Sequence, residues 1–254
     1  MASSRACPSP SAAAIALSSA LVALSALPAQ GEPARAGEPS EPPAAQRAAQ
    51  GERPKDVAAL FRRFRAMRGL SASYTEEKHL SLLAVPLSSR GKLYYRTGPD
   101  GADGRLVRVV EAPEKSKLSV SERELKISDG RGTEVIDLRQ SDRVRLFVTS
   151  LMQVFRGDGA ALGRHYVVRY RHVGEQDGGW RLDLTPKKSP LDKMMRSLSL
   201  RGVGDAVSQI VLTEPSGDRT VTAIRAADPR RVFTPAEQRE IFGLRPVAPE
   251  TRGK

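Results

Sequence analysis

Thiol, imidazole and aromatic side chains are scarce in this sequence of 254 residues. It has one cysteine, three histidines and one tryptophan, and Phe, Trp and Tyr together make up 5% of the chain. A single cysteine excludes an internal disulfide framework and a thiolate metal centre. That residue, Cys7, lies before the first apolar run, whereas the modified cysteine of a bacterial lipoprotein signal follows such a run.

Known catalytic motifs are missing as well. The chain has no Gly-x-Ser-x-Gly nucleophile turn, no His-Glu-x-x-His motif and no glycine-rich phosphate loop. His165 and His172 fall in one predicted strand seven residues apart, so they face opposite sides, as do the adjacent Glu76 and Glu77. Residues 100–104 are expected to form a turn rather than a calcium loop, because the downstream glutamate is missing. The sequence therefore predicts no catalytic residue, no metal site and no cofactor.

The N-terminal residues have the layout of a secretory signal peptide. Arg5 precedes an unbroken run of small and apolar residues from Ala12 to Leu27. The run has 16 residues, fewer than the ~20 that a helix needs to cross a bilayer. We therefore expect residues 1–29 to be cleaved, with a cysteine-free mature chain beginning between Gln30 and Gly37. The alternative is an uncleaved N-terminal membrane helix.

Composition divides the rest of the chain into a linker, a domain and a tail. Residues 30–53 are rich in Pro, Ala and Glu without apolar periodicity, which predicts a disordered linker. Residues 54–245 have the length of one domain, and 246–254 are expected to be a flexible tail. Only three of the 41 Lys and Arg residues and four of the 29 Asp and Glu residues precede position 53, so the remainder has a net charge of +13. In an exported protein this charge favours anionic lipid head groups or an acidic partner, although it can also serve solubility alone.

Apolar periodicity predicts a helix, a long series of strands and two further helices. Apolar residues at helical spacing predict a helix over 54–68, and from Leu70 the period changes to two, as in a half-buried strand. Further strands are predicted at 90–96, 105–111, 116–121, 124–128, 133–138, 164–173, 180–185, 196–202, 206–214 and 219–225. Helices are predicted over 142–156 and from Thr234 to Gly243, where Thr234 and Glu237 have capping-box spacing.

Short strands joined by tight turns predict an antiparallel meander of about ten to eleven strands. One sheet of that size bends on itself, and the amphipathic helices are available to cover its concave face. The predicted fold class is therefore α+β and mainly antiparallel β, an incomplete β-barrel with helices over the concave face. A packed core and an open cavity both fit this pattern.

The segment Leu70–Glu76, Leu-Ser-Ala-Ser-Tyr-Thr-Glu, resembles the first strand of the LolA family of periplasmic outer-membrane lipoprotein carriers. Gly91-Lys92-Leu93 resembles the family's second strand, and Leu184–Lys187 resembles a later strand end. Gln209-Ile210, followed by Ser216–Asp218, resembles its final hairpin. The resemblance covers about residues 55–225.

This resemblance implies an open β-barrel with a helical lid and an apolar cavity for acyl chains. By position, the strands would supply six cavity residues; two residues of the second predicted helix and two of the apolar segment 191–200 complete the predicted set. The predicted cavity residues are Leu70, Ala72, Tyr74, Leu93, Tyr95, Leu106, Phe147, Leu151, Met194 and Leu198. Arg96 is the counterpart of the family's lid-latching arginine. Two departures from the family are Arg108, where an aromatic residue is common, and the run from Leu82 to Ser89.

The resemblance also implies a function without catalysis. The expected activity is that of a monomeric periplasmic carrier, which takes a lipoprotein or (glyco)lipid from an inner-membrane exporter to an outer-membrane acceptor and binds no nucleic acid. One alternative is an envelope-stress regulator of similar fold, which would bind a membrane-protein partner. An acyl hydrolase is a further alternative, but it would need a nucleophile and a base that the sequence does not display.

Overall fold

The computed structural model describes residues 54–98, 104–173 and 178–244. The predicted signal peptide, the linker and the predicted tail all lie outside these residues. The helices are α1 (Val57–Ala66), α2 (Asp142–Phe155), α3 (Gly159–His165) and α4 (Pro235–Phe242), with short 3-10 turns at Leu138–Gln140 and Leu191–Lys193. The strands are β1 (Gly69–His79), β2 (Leu87–Arg96), β3 (Arg105–Ala112), β4 (Ser116–Val120), β5 (Glu124–Asp129), β6 (Gly132–Asp137), β7 (Tyr166–His172), β8 (Gly179–Pro186), β9 (Ser197–Val203), β10 (Ala206–Thr213) and β11 (Arg219–Asp228).

All eleven strands form one antiparallel sheet in the order β6-β5-β4-β3-β2-β1-β11-β10-β9-β8-β7. The chain runs as a meander from the central strand β1 to the edge strand β6, passes through α2 and α3 to the other edge, and returns from β7 to β11. The predicted open antiparallel sheet with helices is therefore confirmed. We call the face that carries Leu70 and Tyr95 the inner face.

The helices α1 and α2 pack on the inner face and, with it, form the main core. In α1, Leu60 and Phe64 are buried, and Phe64 meets Trp180 of β8 edge to face, with ring centroids 5.9 Å apart. In α2, Phe155 stacks on Tyr95 of β2 at 5.0 Å. Because one core cluster contains residues of β2–β5 and of β8–β10, the sheet wraps around the helices.

The C-terminal helix α4 covers the outer face of the sheet instead. Its Phe242 packs with Phe233 and with Val107 of β3, which is fully buried. The predicted capping box is present, since the Thr234 side chain accepts from the Glu237 backbone and the Glu237 side chain accepts from the Thr234 backbone. Helices cover both faces because Val107 and its neighbours make this part of the outer face apolar.

The short helix α3 corrects one predicted boundary. A strand was expected from position 164, but Gly159–His165 is helical, with the Asp158 side chain accepting from the Ala161 backbone N–H. The strand β7 begins only at Tyr166. His165 and His172 therefore do not share a strand. A cap of this kind, with Ala161 and Leu162 buried against the core, stabilises even a seven-residue helix that contains two glycines.

Candidate lipid-binding site

A small apolar cavity lies between the helices and the inner face. We call it the first void; its volume is about 40 Å³. Met67 and Phe64 wall it at the end of α1, and Val154 and Phe155 wall it at the end of α2. Its other residues come from the sheet and from the β9–β10 and β11–α4 connections: Leu70, Leu93, Leu200, Asp205, Ala206, Val207, Ile210, Ile224, Ala227 and Pro229.

A surface groove of about 360 Å³ adjoins the first void. The two share Phe64 and Met67 as walls, together with Asp205 and Pro229. The groove also carries two arginines, Arg63 of α1 and Arg230 after β11, and Arg230 Nη2 lies 3.7 Å from Asp205 Oδ2. An apolar space therefore adjoins a solvent-facing rim of mixed charge with a basic excess.

A second void of about 10 Å³ lies farther along α2. Val154 lines both voids, so they border the same helix from two sides. The remaining residues of the second void are Phe147, Ser150, Leu151, Tyr166, Leu184, Met195, Leu198 and Leu212. Apart from Ser150, which donates to the Leu146 carbonyl, its lining is apolar or aromatic.

The structure gathers most of the predicted cavity residues at one core. Leu70 and Leu93 line the first void, and Phe147, Leu151 and Leu198 line the second. Tyr95, Leu106 and Met194 pack in the same cluster. Ala72 and Tyr74 are buried on the inner face of β1.

The arginine predicted to latch the lid lies on a different face from this core. Arg96 ends β2 and is half-buried. By strand alternation it shares the outer face with Tyr94, whose ring packs against Phe233. The helices α1 and α2 lie on the opposite face. The latch role of Arg96 stays a prediction that would require its side chain to reach around the end of the sheet.

A buried polar cluster occupies the inner face beside the first void, and the sequence analysis did not anticipate it. Arg108 Nη2 lies 2.6 Å from Glu76 Oε1, and Thr222 Oγ1 donates to Glu76 Oε2 at 2.8 Å. The Arg108 guanidinium lies over the Tyr74 ring, 4.8 Å from its centroid. Ser89 is within 3.5 Å of both charged partners. Glu76 is 4% exposed and Arg108 is 8% exposed, so the pair is removed from solvent.

Burial raises the pKa values of two side chains in this cluster. Desolvation raises the pKa of Glu76 above its ordinary value, and Arg108 and Thr222 oppose that rise. Desolvation also raises the pKa of Tyr74 to about 12. The inward alternation of Ala72, Tyr74 and Glu76 was the sequence signal for this site. A comparison of Glu76 with Glu77 alone does not reveal the site, because Glu77 is exposed and the partners of Glu76 lie on other strands.

The histidines His79 and His172 contact different parts of the chain. His79 Nε2 lies 3.5 Å from the exposed Glu77, and His172 Nε2 lies 3.2 Å from the Pro54 carbonyl oxygen. Within 54–98, 104–173 and 178–244, no three His, Cys, Asp or Glu residues are grouped so that they could hold a metal ion. In the same ranges no helix is long and apolar enough to span a membrane.

Fold and site together define a helix-covered, open antiparallel sheet with small apolar voids under the helices. The family described as outer membrane lipoprotein carrier protein LolA-like matches residues 48–241. The chain belongs to this family. No curated protein matches it.

Several solved structures resemble the chain at low sequence identity. A chain of the Pseudomonas aeruginosa MucA/MucB complex is 14% identical, with a TM-score of 0.42 over 68% of this chain; this chain covers 56% of its length. A LolA superfamily protein from Nitrosomonas europaea is 12% identical, with a TM-score of 0.38, covering 71% of this chain and 96% of its own. A putative outer membrane lipoprotein-sorting protein domain from Vibrio parahaemolyticus is 7% identical, with a TM-score of 0.40, covering 73% and 98%.

Proposed function

We propose that this protein binds the acyl chains of lipoproteins or related lipids between α1, α2 and the inner face, and carries them through the periplasm toward the outer membrane. The observation that carries the proposal is the first void, an apolar space under two helices that adjoins an arginine-bearing groove. Acyl chains favour such walls because each buried methylene contributes about 0.8 kcal/mol. Membership of the LolA-like family supports the same function.

Loading requires the helices to move away from the sheet. One water needs about 10–15 Å³ of such a cavity, so the 40 Å³ of the first void holds no acyl chain of ordinary length. Apolar side chains of α1 and α2 fill the space that a lipid would take. The described conformation is therefore the closed form of the proposed carrier.

The two contacts at the C-terminal end of α2 are individually weak enough for a lipid to replace. Phe155 stacks on Tyr95, an aromatic pair of a kind that contributes about 1 kcal/mol beyond its buried area. Beyond the end of α2, Arg156 forms a partly exposed ion pair with Glu122, a kind that contributes at most about 1 kcal/mol. Ten acyl methylenes would contribute about 8 kcal/mol. Acyl burial can therefore offset the loss of these two contacts, and the acyl chain would take the place of α2 against the apolar walls of the sheet.

The groove is suited to the polar end of the same ligand. Arg63 and Arg230 stand at its edge, and only Asp205 among the other groove residues is charged. A bound lipid would place its acyl chain inside and its head group among these guanidinium groups, which suit phosphate or ester oxygens. Release then follows transfer of the acyl chain to another apolar site, without bond cleavage.

A void-filling substitution tests the binding site. Leu93→Trp places a large ring in the first void, whereas Lys92→Trp places the same ring on the outer face of the same strand. We expect affinity for a fluorescent fatty acid to fall about tenfold or more in the Leu93 variant, a loss of about 1.4 kcal/mol, and to stay unchanged in the Lys92 variant. Equal affinities in two folded variants, checked by circular dichroism, would contradict the proposed site.

Export, partners and the absence of catalysis are parts of the same proposal. A cleaved signal over residues 1–29 would deliver the carrier to the periplasm, between an inner-membrane exporter and an outer-membrane acceptor. N-terminal sequencing of protein from a periplasmic fraction should find a start between Gln30 and Gly37; an intact Met1 in the membrane pellet would contradict export by cleavage. Incubation with acyl-ester lipids should leave the esters intact, because no nucleophile and base pair is proposed.

A further inference from the structure

The loop between β1 and β2 presents aliphatic side chains to solvent. Leu82 is 94% exposed, Leu83 is 47% exposed and Val85 is 72% exposed. No residue from Leu80 to Ser89 is charged. The other large apolar residues that are exposed in the described parts of the chain stand singly, such as Val135 and Val232. We call residues 80–86 the apolar loop; its exposed apolar residues are clustered, which marks an interaction site.

The loop is held away from the sheet rather than folded back on it. Its Ser81 backbone N–H donates to Asp218 Oδ1 at 2.8 Å, which fixes the loop to the turn between β10 and β11. The Leu83 N–H donates to the Leu80 carbonyl at 3.0 Å, which closes a tight turn at the tip. Just before the loop, Lys78 Nζ lies 3.6 Å from Glu214 Oε1. These contacts present Leu82 and Val85 outward in a defined geometry.

Exposed basic residues gather at the same end of the sheet. Arg219 lies opposite His79, the last residue of β1, in the β1–β11 register. The Arg196 backbone N–H donates to the Thr213 carbonyl oxygen at the end of β10. Exposed lysines of the β8–β9 connection extend this basic end; they are Lys187, Lys188 and Lys193. The acidic residues at this end also make contacts: Asp192 accepts from the Ser189 hydroxyl, Glu77 lies 3.5 Å from His79, and Glu214 and Asp218 make the contacts given above.

We propose that the apolar loop docks the protein on an anionic lipid bilayer, with Leu82, Leu83 and Val85 inserted at the head-group boundary and the basic residues beside it against lipid phosphates. Aliphatic side chains that enter the interface combine with electrostatic attraction, which is worth about 1 kcal/mol per basic residue near the surface. A protein partner is less well matched, because the loop lacks the Tyr, Trp and Arg residues that dominate protein interfaces.

The docking surface also lies at the end of the sheet that carries the second void. Leu212 of β10 lines that void and lies opposite Thr220 of β11. Thr220 in turn lies opposite Lys78, just before the apolar loop. Docking would therefore bring this end of the helix-covered face to the bilayer. The inference goes beyond the proposed cargo binding and is tested without any cargo.

Vesicle flotation of the purified protein tests the docking surface. The protein should float with vesicles of phosphatidylglycerol and phosphatidylethanolamine and bind about tenfold more weakly to pure phosphatidylcholine, since the basic end gains from anionic head groups. The triple change Leu82→Ser, Leu83→Ser and Val85→Ser should lower the partition coefficient about tenfold or more, which corresponds to about 1.4 kcal/mol. Because these side chains are exposed, the variant should keep the wild-type unfolding midpoint.

A matched change at the other end of the sheet is the control. Val232 is 81% exposed and lies two residues after Arg230, which forms a β-bridge with Gly69 at the start of β1. Val232→Ser therefore removes one exposed valine far from the loop, and it is compared with Val85→Ser, which removes one valine within the loop. The Val232 variant should leave vesicle binding unchanged. Tryptophan fluorescence gives a second readout: Leu82→Trp should be quenched by brominated lipids, and Val232→Trp should not.

Three outcomes of these vesicle experiments would overturn the inference. The first is a wild-type protein that floats with neither vesicle type. The second is a triple serine variant that binds as wild type does, and the third is an equal loss in the Val232 control. Crosslinking from Leu82 to a protein in envelope fractions, without binding to anionic vesicles, would instead identify a protein acceptor and reject bilayer docking. Cargo binding measured in parallel in the triple variant would separate this result from the proposed carrier function.

Discussion

The two halves of the inner face of β1 differ in chemistry although they belong to one strand. The first half, Leu70 and Ala72, is apolar, and Leu70 borders the first void. The second half, Tyr74 and Glu76, is buried too, but it carries the ion pair with Arg108. Burial alone therefore does not define a lipid-binding wall. The apolar half can enclose an acyl chain, and the polar half would end its path.

The sheet register places the boundary between these halves at the void itself. Thr222, which donates to Glu76, lies opposite Ile210 in the sheet, and Ile210 lines the first void. The polar cluster therefore borders the proposed binding space directly. An acyl chain long enough to extend past Ile210 would contact a buried charge pair. The site should therefore favour shorter chains.

The largest effect is expected from breaking the ion pair on one side. Arg108→Met leaves Glu76 buried without its cation and should lower the free energy of unfolding by about 3–5 kcal/mol. Adding Glu76→Leu should restore most of that stability, because it removes the unpaired carboxyl. Urea unfolding measures both. A double variant as unstable as the sum of the two single variants would show that the pair does not act as a unit.

The same double variant tests whether the polar half of the inner face limits the length of a bound acyl chain. It makes the polar half of the inner face apolar, so the preferred acyl length for a series of fatty acids should shift to longer chains by one or more methylenes, each worth about 0.8 kcal/mol. Competition against a fluorescent fatty acid measures the shift. An unchanged length profile in the folded double variant would mean that the polar cluster does not limit the site.

Val154→Ala enlarges the apolar space under α2, because Val154 lines both voids. Loss of two methyl groups should cost about 2 kcal/mol of stability and raise affinity for short acyl probes by preforming space. Val148, on the same helix and equally buried but outside both lining sets, supplies the control. Val148→Ala should cost similar stability without the gain in affinity. If both variants gain affinity, general loosening of α2 would explain the effect.

Glu122→Gln weakens the contact beyond the end of α2, where Arg156 pairs with Glu122. The pair is partly exposed, so the unfolding free energy should change by less than about 1 kcal/mol. Probe uptake should nevertheless become faster, because α2 opens more readily. Stopped-flow fluorescence measures this rate, with Asp142→Asn, which removes the exposed partner of Arg145, as the control. Equal uptake rates would exclude this pair from the closing contacts.

The smallest effect concerns pH. Because folding raises the pKa of Glu76 above 4.5, the folded state binds more protons than the unfolded state, and this contribution to stability is lost as pH rises through the raised value. The stability difference between wild type and the double variant should therefore fall as pH increases from about 4.5. A stability difference that does not change with pH would mean that the Glu76 pKa has its ordinary value.

Strands and helices with a regular local sequence pattern were predicted well. Period-two alternation located β3, β4 and β5 to within about one residue of the structure, and the capping box located the start of α4. By contrast, α3 is short and contains Gly159 and Gly163, so its helical signal was weak. The core contacts of Ala161 and Leu162 stabilise it, and no local pattern reports such contacts.

The polar cluster illustrates why sites are harder to predict than strands. Glu76 and Arg108 are 32 residues apart on β1 and β3, with β2 between them. Between those strands lies Gly91, where an added Cβ would be 1.8 Å from the Val109 carbonyl oxygen and 3.1 Å from Tyr74 Oη. That missing side chain leaves room for the Tyr74 ring, over which Arg108 lies.

The sequence by itself determined the strand pattern, most of the inward positions and the family resemblance, because period, turn residues and caps are local properties of a chain. The tertiary structure decided the rest. It placed α4 on the outer face, put a charge pair on the inner face of β1 and reduced the expected cavity to voids of about 40 and 10 Å³. These features depend on how side chains from distant segments fill a shared space, which packing density sets only after the whole sheet has formed.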